Sequence, residues 1–235
     1  MIYRINMKIA SLLSAIVVFL GLATSAGAFS FGVGVSGGGT YADLSGKETM
    51  NTSGNTTSAE EGAAGPIGTA YAQVIVGESY FGEGNGFALG YEHFFGGAST
   101  NMQSGDERTD LYAVNTSTLS INHAKARIED INTIFIETPG FTPLGIYLKA
   151  GLSNLTLITN EALFTGGVYG DADVDGNTVG FGFKKAAGGF QAKTEFTYTD
   201  WDAISISNTG SNAGASKITG DIENWAFKFG VGYNF

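Results

Sequence analysis

The sequence predicts an all-β fold, an eight-stranded antiparallel up-and-down transmembrane β-barrel with both chain ends on the same side. Three observations predict it. Apolar residues alternate with small or polar ones in many separate segments, the period of a strand with two unlike faces. The connections between those segments alternate short and long. Glycine is abundant, 36 of 235 residues, against a usual share of about 7 %.

The first segment is set apart from the fold. Arg4 and Lys8 precede a largely apolar stretch, Ile9 to Leu22, and Ala26-Gly27-Ala28 follows. That is the order of a secretory signal peptide, and the apolar stretch is shorter than the roughly 20 residues a spanning helix needs. Cleavage after Ala28 divides the chain into a leader, 1–28, and a barrel domain, 29–235. It also removes two of the 12 basic residues and moves the net charge from −10 to about −12, which excludes a phosphate-binding nucleic-acid surface. Cysteine is absent, so an exported chain of this kind is held by its hydrogen-bonded sheet and by burial.

The last strand carries the plainest pattern. Trp225, Phe227, Phe229, Val231, Tyr233 and Phe235 occupy one face, and Ala226, Lys228, Gly230, Gly232 and Asn234 the other. Its length suits a tilted membrane-spanning strand, which needs about 9–11 residues. Phe29 to Val35, Leu144 to Leu152, Val179 to Phe183, Phe190 to Tyr198 and Phe87 to Phe95 repeat the alternation. The facing of 68–81 is ambiguous, and both faces of 126–138 are mixed. The expected strands are 29–42, 68–81, 86–95, 126–138, 143–158, 176–186, 189–207 and 217–235. Short turns fall at Gly82 to Gly86, Pro139 to Thr142 and Ala186 to Gly188; long connections fall at 43–67, 96–125, 159–175 and 208–216. Tight turns at one end and long loops at the other are the plan of an outer-membrane barrel, which puts the termini in the periplasm.

Eight strands leave an interior only wide enough for side chains. Glycines 32, 34, 180, 182, 230 and 232 are assigned to that interior, where they leave room for Glu92, Lys149, Lys184, Lys193, Glu195 and Lys228. These six form the expected lumenal charge network. Trp201, Trp225 and Tyr233 are placed in interfacial aromatic belts.

The run from Lys228 to Phe235, with Leu148-Lys149-Ala150-Gly151-Leu152 and Val179-Gly180-Phe181-Gly182-Phe183, resembles the small outer-membrane β-barrel proteins of Gram-negative bacteria, the porin-family or OmpA-like and OmpX-like barrels. The resemblance covers 29–235. It implies a location in the cell outer membrane among lipid and lipopolysaccharide. It also implies that Phe229, Val231, Tyr233 and Phe235 form the signal read by the barrel-assembly machinery. The family shares no catalytic motif.

Asp171, Asp173 and Asp175, followed by Gly176, match the opening of a calcium loop, where oxygens at alternate positions ligate the ion. The match then breaks at Gly182, where a bidentate Glu belongs. A weak Ca2+ site at 171–176 is set against an acidic loop tip. His93 and His123 lie apart, with no metal-ligand spacing, and no enzyme is expected. The leading expectation is a structural or surface-interaction role in the envelope with a filled lumen. The alternatives are a narrow passive channel for ions or small polar solutes, and an adhesin contacting an unknown surface receptor through loop 96–125.

Overall fold

The computed structural model describes residues 29–50, 56–95, 112–113, 119–120, 123–162, 168–209 and 216–235. The expected leader, 1–28, and most of the loop 96–125 lie outside the described residues. The elements are β1 (Phe29–Met50), β2 (Thr56–Val76), a single helical turn α1 (Glu78–Phe81), β3 (Phe87–Phe95), β4 (Tyr112–Ala113), β5 (Leu119–Ser120), β6 (His123–Glu137), β7 (Ile146–Ala162), β8 (Ala172–Ala187), β9 (Phe190–Trp201), β10 (Ile204–Ser207) and β11 (Ser216–Asn234).

Eight staves close the barrel in the order β1-β2-β3-β6-β7-β8-β9-β11, with β11 returning to β1 and every pair antiparallel. β10 prolongs β9 along β11, and the register gains one residue between Asp200↔Glu223 and Ile204↔Gly220. Among the described residues β4 and β5 pair only with each other. The seam between first and last strands continues to the final residue: Phe31 N donates to Phe235 O at 3.0 Å, and Phe235 N donates to Phe31 O at 2.8 Å. Closure pairs the two strand edges that an open sheet would expose. No described helix is long and apolar enough to cross a membrane.

The strands run farther than the sequence pattern suggested, because the pattern inverts partway along them. Near the end with the termini, β11 points Trp225, Phe227, Phe229, Val231 and Tyr233 outward and Lys228 inward. Farther along, Lys217, Asp221 and Glu223 point outward while Ile222 is buried. β1 changes from outward Phe31, Val33 and Val35 to outward Asp43, Ser45 and Lys47; β8 changes from Val179, Phe181 and Phe183 to Asp173, Asp175 and Asn177. Residues 43–50, 56–67, 159–162 and 172–175, expected in loops, are therefore strand. Their outward polar residues resemble loop composition, while the inward side carries a core that no membrane argument anticipates. That far core joins Ile128, Leu155, Val174, Trp201, Ile206 and Ile222, among others.

Trp201 is thus corrected from an interfacial position to the interior, where it is 6 % exposed. β2 ends at Val76 rather than reaching residue 81, because Gly77 takes the left-handed φ of 83° and α1 follows. Residues 143–145, expected at the start of a strand, lie instead in a turn closed by Gly145 N donating to Thr142 O. The mixed faces of β6 have a local cause. A bulge between Glu129 and Asn132 shifts the register, with Asp130 at φ 52°, so facing changes partway along the strand.

Candidate functional site: the barrel lumen

The lumen is filled in layers, and strands from around the barrel contribute to each layer. Lys149 on β7 donates to Glu92 Oε2 on β3 and to Glu195 Oε1 on β9, both at 2.9 Å. Lys228 on β11 reaches Glu92 Oε1 at 2.6 Å and Glu195 Oε1 at 2.8 Å. Two ammonium groups and two carboxylates form a closed, neutral ring. Further hydroxyls complete the carboxylates: Thr69 Oγ1 donates to Glu92 at 2.8 Å and Tyr147 OH to Glu195 at 2.9 Å. Buried ions are tolerable when paired and hydrogen-bonded in this way.

Closer to the termini lies a second cluster. Lys193 Nζ is 2.9 and 2.8 Å from the two oxygens of Glu137 and donates to Gln73 Oε1 at 3.0 Å. Lys184 Nζ lies 3.7 Å from Glu137 Oε2 and donates to Thr138 O at 2.8 Å. On the other side of the ring, Thr133, Ser153, Thr178 and Thr199 link by side-chain hydrogen bonds of 2.8, 2.7 and 2.8 Å across β6, β7, β8 and β9. The apolar far core lies beyond them.

Each lumenal lysine also lies near an aromatic face. Lys149 is 4.3 Å from the Phe135 centroid, Lys193 4.8 Å from Tyr71, Lys184 5.1 Å from Tyr147 and Lys228 5.2 Å from Phe94. The ring quadrupole attracts a cation there. Glycine makes room for these rings. A Cβ at Gly34 or Gly232 would strike the Tyr71 ring, at Gly182 the Tyr147 ring, and at Gly90 the Phe135 ring. The inward glycines thus accommodate rings as much as long polar side chains. Among the described residues the lumen includes two small cavities, of about 30 and 20 Å³, each sufficient for only a water or two.

The structure brings Glu92, Lys149, Glu195 and Lys228 into one ring and puts Lys184 and Lys193 beside Glu137. Sequence reasoning missed Glu137, Tyr71, Tyr147 and Phe135. Glu137 shares a face with Thr133 and Phe135, a signal hidden by the bulge at 129–132.

Phe229, Val231, Tyr233 and Phe235 all face outward and are exposed. Asp173 and Asp175 lie in β8 rather than in a loop, with Asp171 just before it. Their oxygens accept from Thr156 Oγ1, Asn154 Nδ2 and Thr159 N respectively for Asp173, Asp175 and Asp171, at 3.1, 3.2 and 3.2 Å. An extended strand spreads alternate side chains along its length instead of wrapping them around one ion. Among the described residues no three His, Cys, Asp or Glu groups are arranged to hold a metal. His93 Nδ1 lies 2.7 Å from Asn132 Oδ1 on the outer wall, and His123 opens β6.

No protein-family model and no curated protein matches the chain. Among solved structures it is similar to the crystal structure of Neisserial surface protein A, at 12 % identity and a TM-score of 0.37, over 88 % of this chain and 99 % of that one. It is also similar to the outer membrane protease OmpT from Escherichia coli, at 10 % identity and a TM-score of 0.42, over 88 % and 97 %.

Proposed function

We propose that the chain is an outer-membrane barrel with a sealed lumen, serving a structural or surface-contact role in the cell envelope. The observation that carries this reading is the layered filling of the lumen: a neutral four-membered ion ring between a second ion cluster and a hydroxyl layer. Eight strands provide little cross-section, and here lysine, glutamate and aromatic side chains occupy it. The outward apolar band supports a membrane position. Its upper edge coincides with a change to Asp43, Glu223, Asp200 and Asp175 on adjacent strands, as a water boundary requires. On this reading the termini and short turns lie in the periplasm, and residues 1–28 are the leader that exports the chain.

The test is to refold residues 29–235 in detergent, measure heat-modifiable gel mobility, and record currents in planar bilayers. A compact heat-sensitive form with no unitary conductance steps is expected. Reproducible steps that change when Lys149 or Lys193 is substituted would establish a narrow passive channel in its place.

A further inference from the structure

The connection from β2 to β3, residues 77–86, does more than join neighbouring strands. It crosses the barrel mouth at the end bearing the termini and is fastened to the two other turns there. Gly189 N donates to Glu83 Oε1 at 2.9 Å, and Gln191 Nε2 donates to Gly84 O at 3.1 Å, which ties the segment to the β8–β9 turn. Gly140 N donates to Asn85 Oδ1 at 2.5 Å, and Asn85 Nδ2 donates back to Gly140 O at 3.3 Å, which ties it to the β6–β7 connection. Gly84 lies against Ala186 and Asn234, so closely that an added Cβ would strike both.

The segment has its own stiffness and its own pivots. Gly84 N donates to Glu78 Oε1 at 2.5 Å, and Gly82 N donates to Glu78 O at 2.7 Å. Gly77, Gly82 and Gly84 have φ of 83°, 99° and 64°, conformations that glycine adopts without a Cβ clash. Rigid pieces flanked by such glycines can rotate as a unit.

Directly behind it lies the second ion cluster. Lys184 Nζ reaches the Gly86 carbonyl at 3.3 Å as well as Thr138 O. Lys184 and Lys193 share one carboxylate, Glu137, so this chamber carries an excess positive charge; the Glu92–Lys149–Glu195–Lys228 ring above it is neutral. A water-filled opening here would expose two ammonium groups while leaving the ring closed.

We propose that residues 77–86 are a hinged cover over the Glu137–Lys184–Lys193 chamber, and that releasing it admits water and small anions to the chamber without breaching the ring above. The cover rests on the membrane reading only for the side it faces, the periplasm.

Selective acylation tests it. The refolded barrel is treated with a small, sulfonated N-hydroxysuccinimide ester of acetic acid, and acetylation of each lysine is followed by peptide mass spectrometry. In the parent protein exposed Lys185 reacts while Lys184, Lys193, Lys149 and Lys228 are protected. The double variant Glu83→Ala, Asn85→Ala is expected to raise the Lys184 rate by about tenfold, the factor that about 1.4 kcal/mol corresponds to, with Lys149 and Lys228 still protected. Glu83→Gln retains an acceptor for the Gly189 N–H and keeps Lys184 close to the parent rate. Asn85→Ala alone leaves the Glu83 tie and gives an intermediate rate, which preserves the comparison if the double variant refolds poorly.

Unchanged Lys184 protection in a heat-modifiable variant would overturn the cover. So would equal exposure of all four buried lysines, since that reports general loosening. Absence of a heat-modifiable form in the parent would instead sink the membrane reading.

Discussion

Glu137 and Lys193 set the energetics at the residue scale. Glu137 is 2 % exposed and, among the described residues, is the carboxylate paired with both Lys184 and Lys193. Removing one member of a buried pair leaves the other charge uncompensated, at a cost of about 3–5 kcal/mol. Glu137→Ala is expected to lower the unfolding free energy of the refolded barrel, read from its urea titration, by an amount in that range. Combining Glu137→Leu with Lys184→Met and Lys193→Met is expected to recover most of it, because none of the three charges of the cluster remains. A midpoint unchanged by Glu137→Ala would show that water already reaches the cluster. Glycine provides a second residue-scale test. Gly182→Val drives a side chain into the Thr194 carbonyl and the Tyr147 ring, for which overpacking costs about 1–3 kcal/mol. Gly39→Val points outward, with its nearest neighbour at an ordinary contact distance of 3.8 Å, and is expected to change the unfolding free energy by no more than about 0.5 kcal/mol. Similar losses in both variants would contradict the inward and outward assignments.

At the scale of the element, β11 carries two opposite polarity patterns on one continuous strand. Val231→Arg places a charge in the apolar band, where lipid-facing arginine costs about 2–4 kcal/mol near the midplane. Asp221→Arg, on the same outward face beyond the polarity change, is expected to cost under about 1 kcal/mol. Paired measurements of refolding in lipid vesicles locate the boundary on the strand; equal costs at the two positions would refute it. This inversion also explains why only part of each strand was legible in the sequence. From Trp225 to Phe235 the alternation is strict, and the strand is plain. In 43–50 and 56–67 the outward residues include Asp43, Ser45, Lys47, Thr56, Ser58 and Glu60, with Gly62, Ala64 and Pro66 after them, which in isolation match a solvated loop. Only pairing along the full β1–β2 hairpin, Thr49↔Thr56 down to Phe29↔Val76, makes them strand. In β6 the bulge at 129–132 reverses the facing midway, so no single period fits 126–138, and Glu137 was concealed with it.

Across the whole molecule, the barrel consists of two stacked environments. The half with the termini is apolar outside and ionic inside; the far half is polar outside and apolar inside, with Trp201, Leu155 and Ile222 in its core. A hydrocarbon solvent selects the first arrangement and water selects the second. On the membrane reading, the far half accordingly has the build of a water-soluble barrel standing above the bilayer. Detergent exchange gives a prediction at this scale. Hydrogen exchange should be slow along β7 and β8 on both sides of the polarity change, since both halves are closed and filled. Fast exchange confined to the far half would show that its apolar core does not hold the sheet together.

The sequence alone determined the all-β class and the eight staves, and its alternation put six charged residues on the polar faces. Those features follow from local periodicity, which each strand carries in itself. Tertiary structure decided how far the strands extend, which lysine meets which glutamate, that Glu137 and the rings of Tyr71, Tyr147 and Phe135 complete the lumen, and that residues 77–86 cross its mouth. Each of these joins residues far apart in the chain, such as Lys228 with Glu92 or Gly189 with Glu83. Partner choice at that distance depends on register and barrel closure, which no local pattern contains.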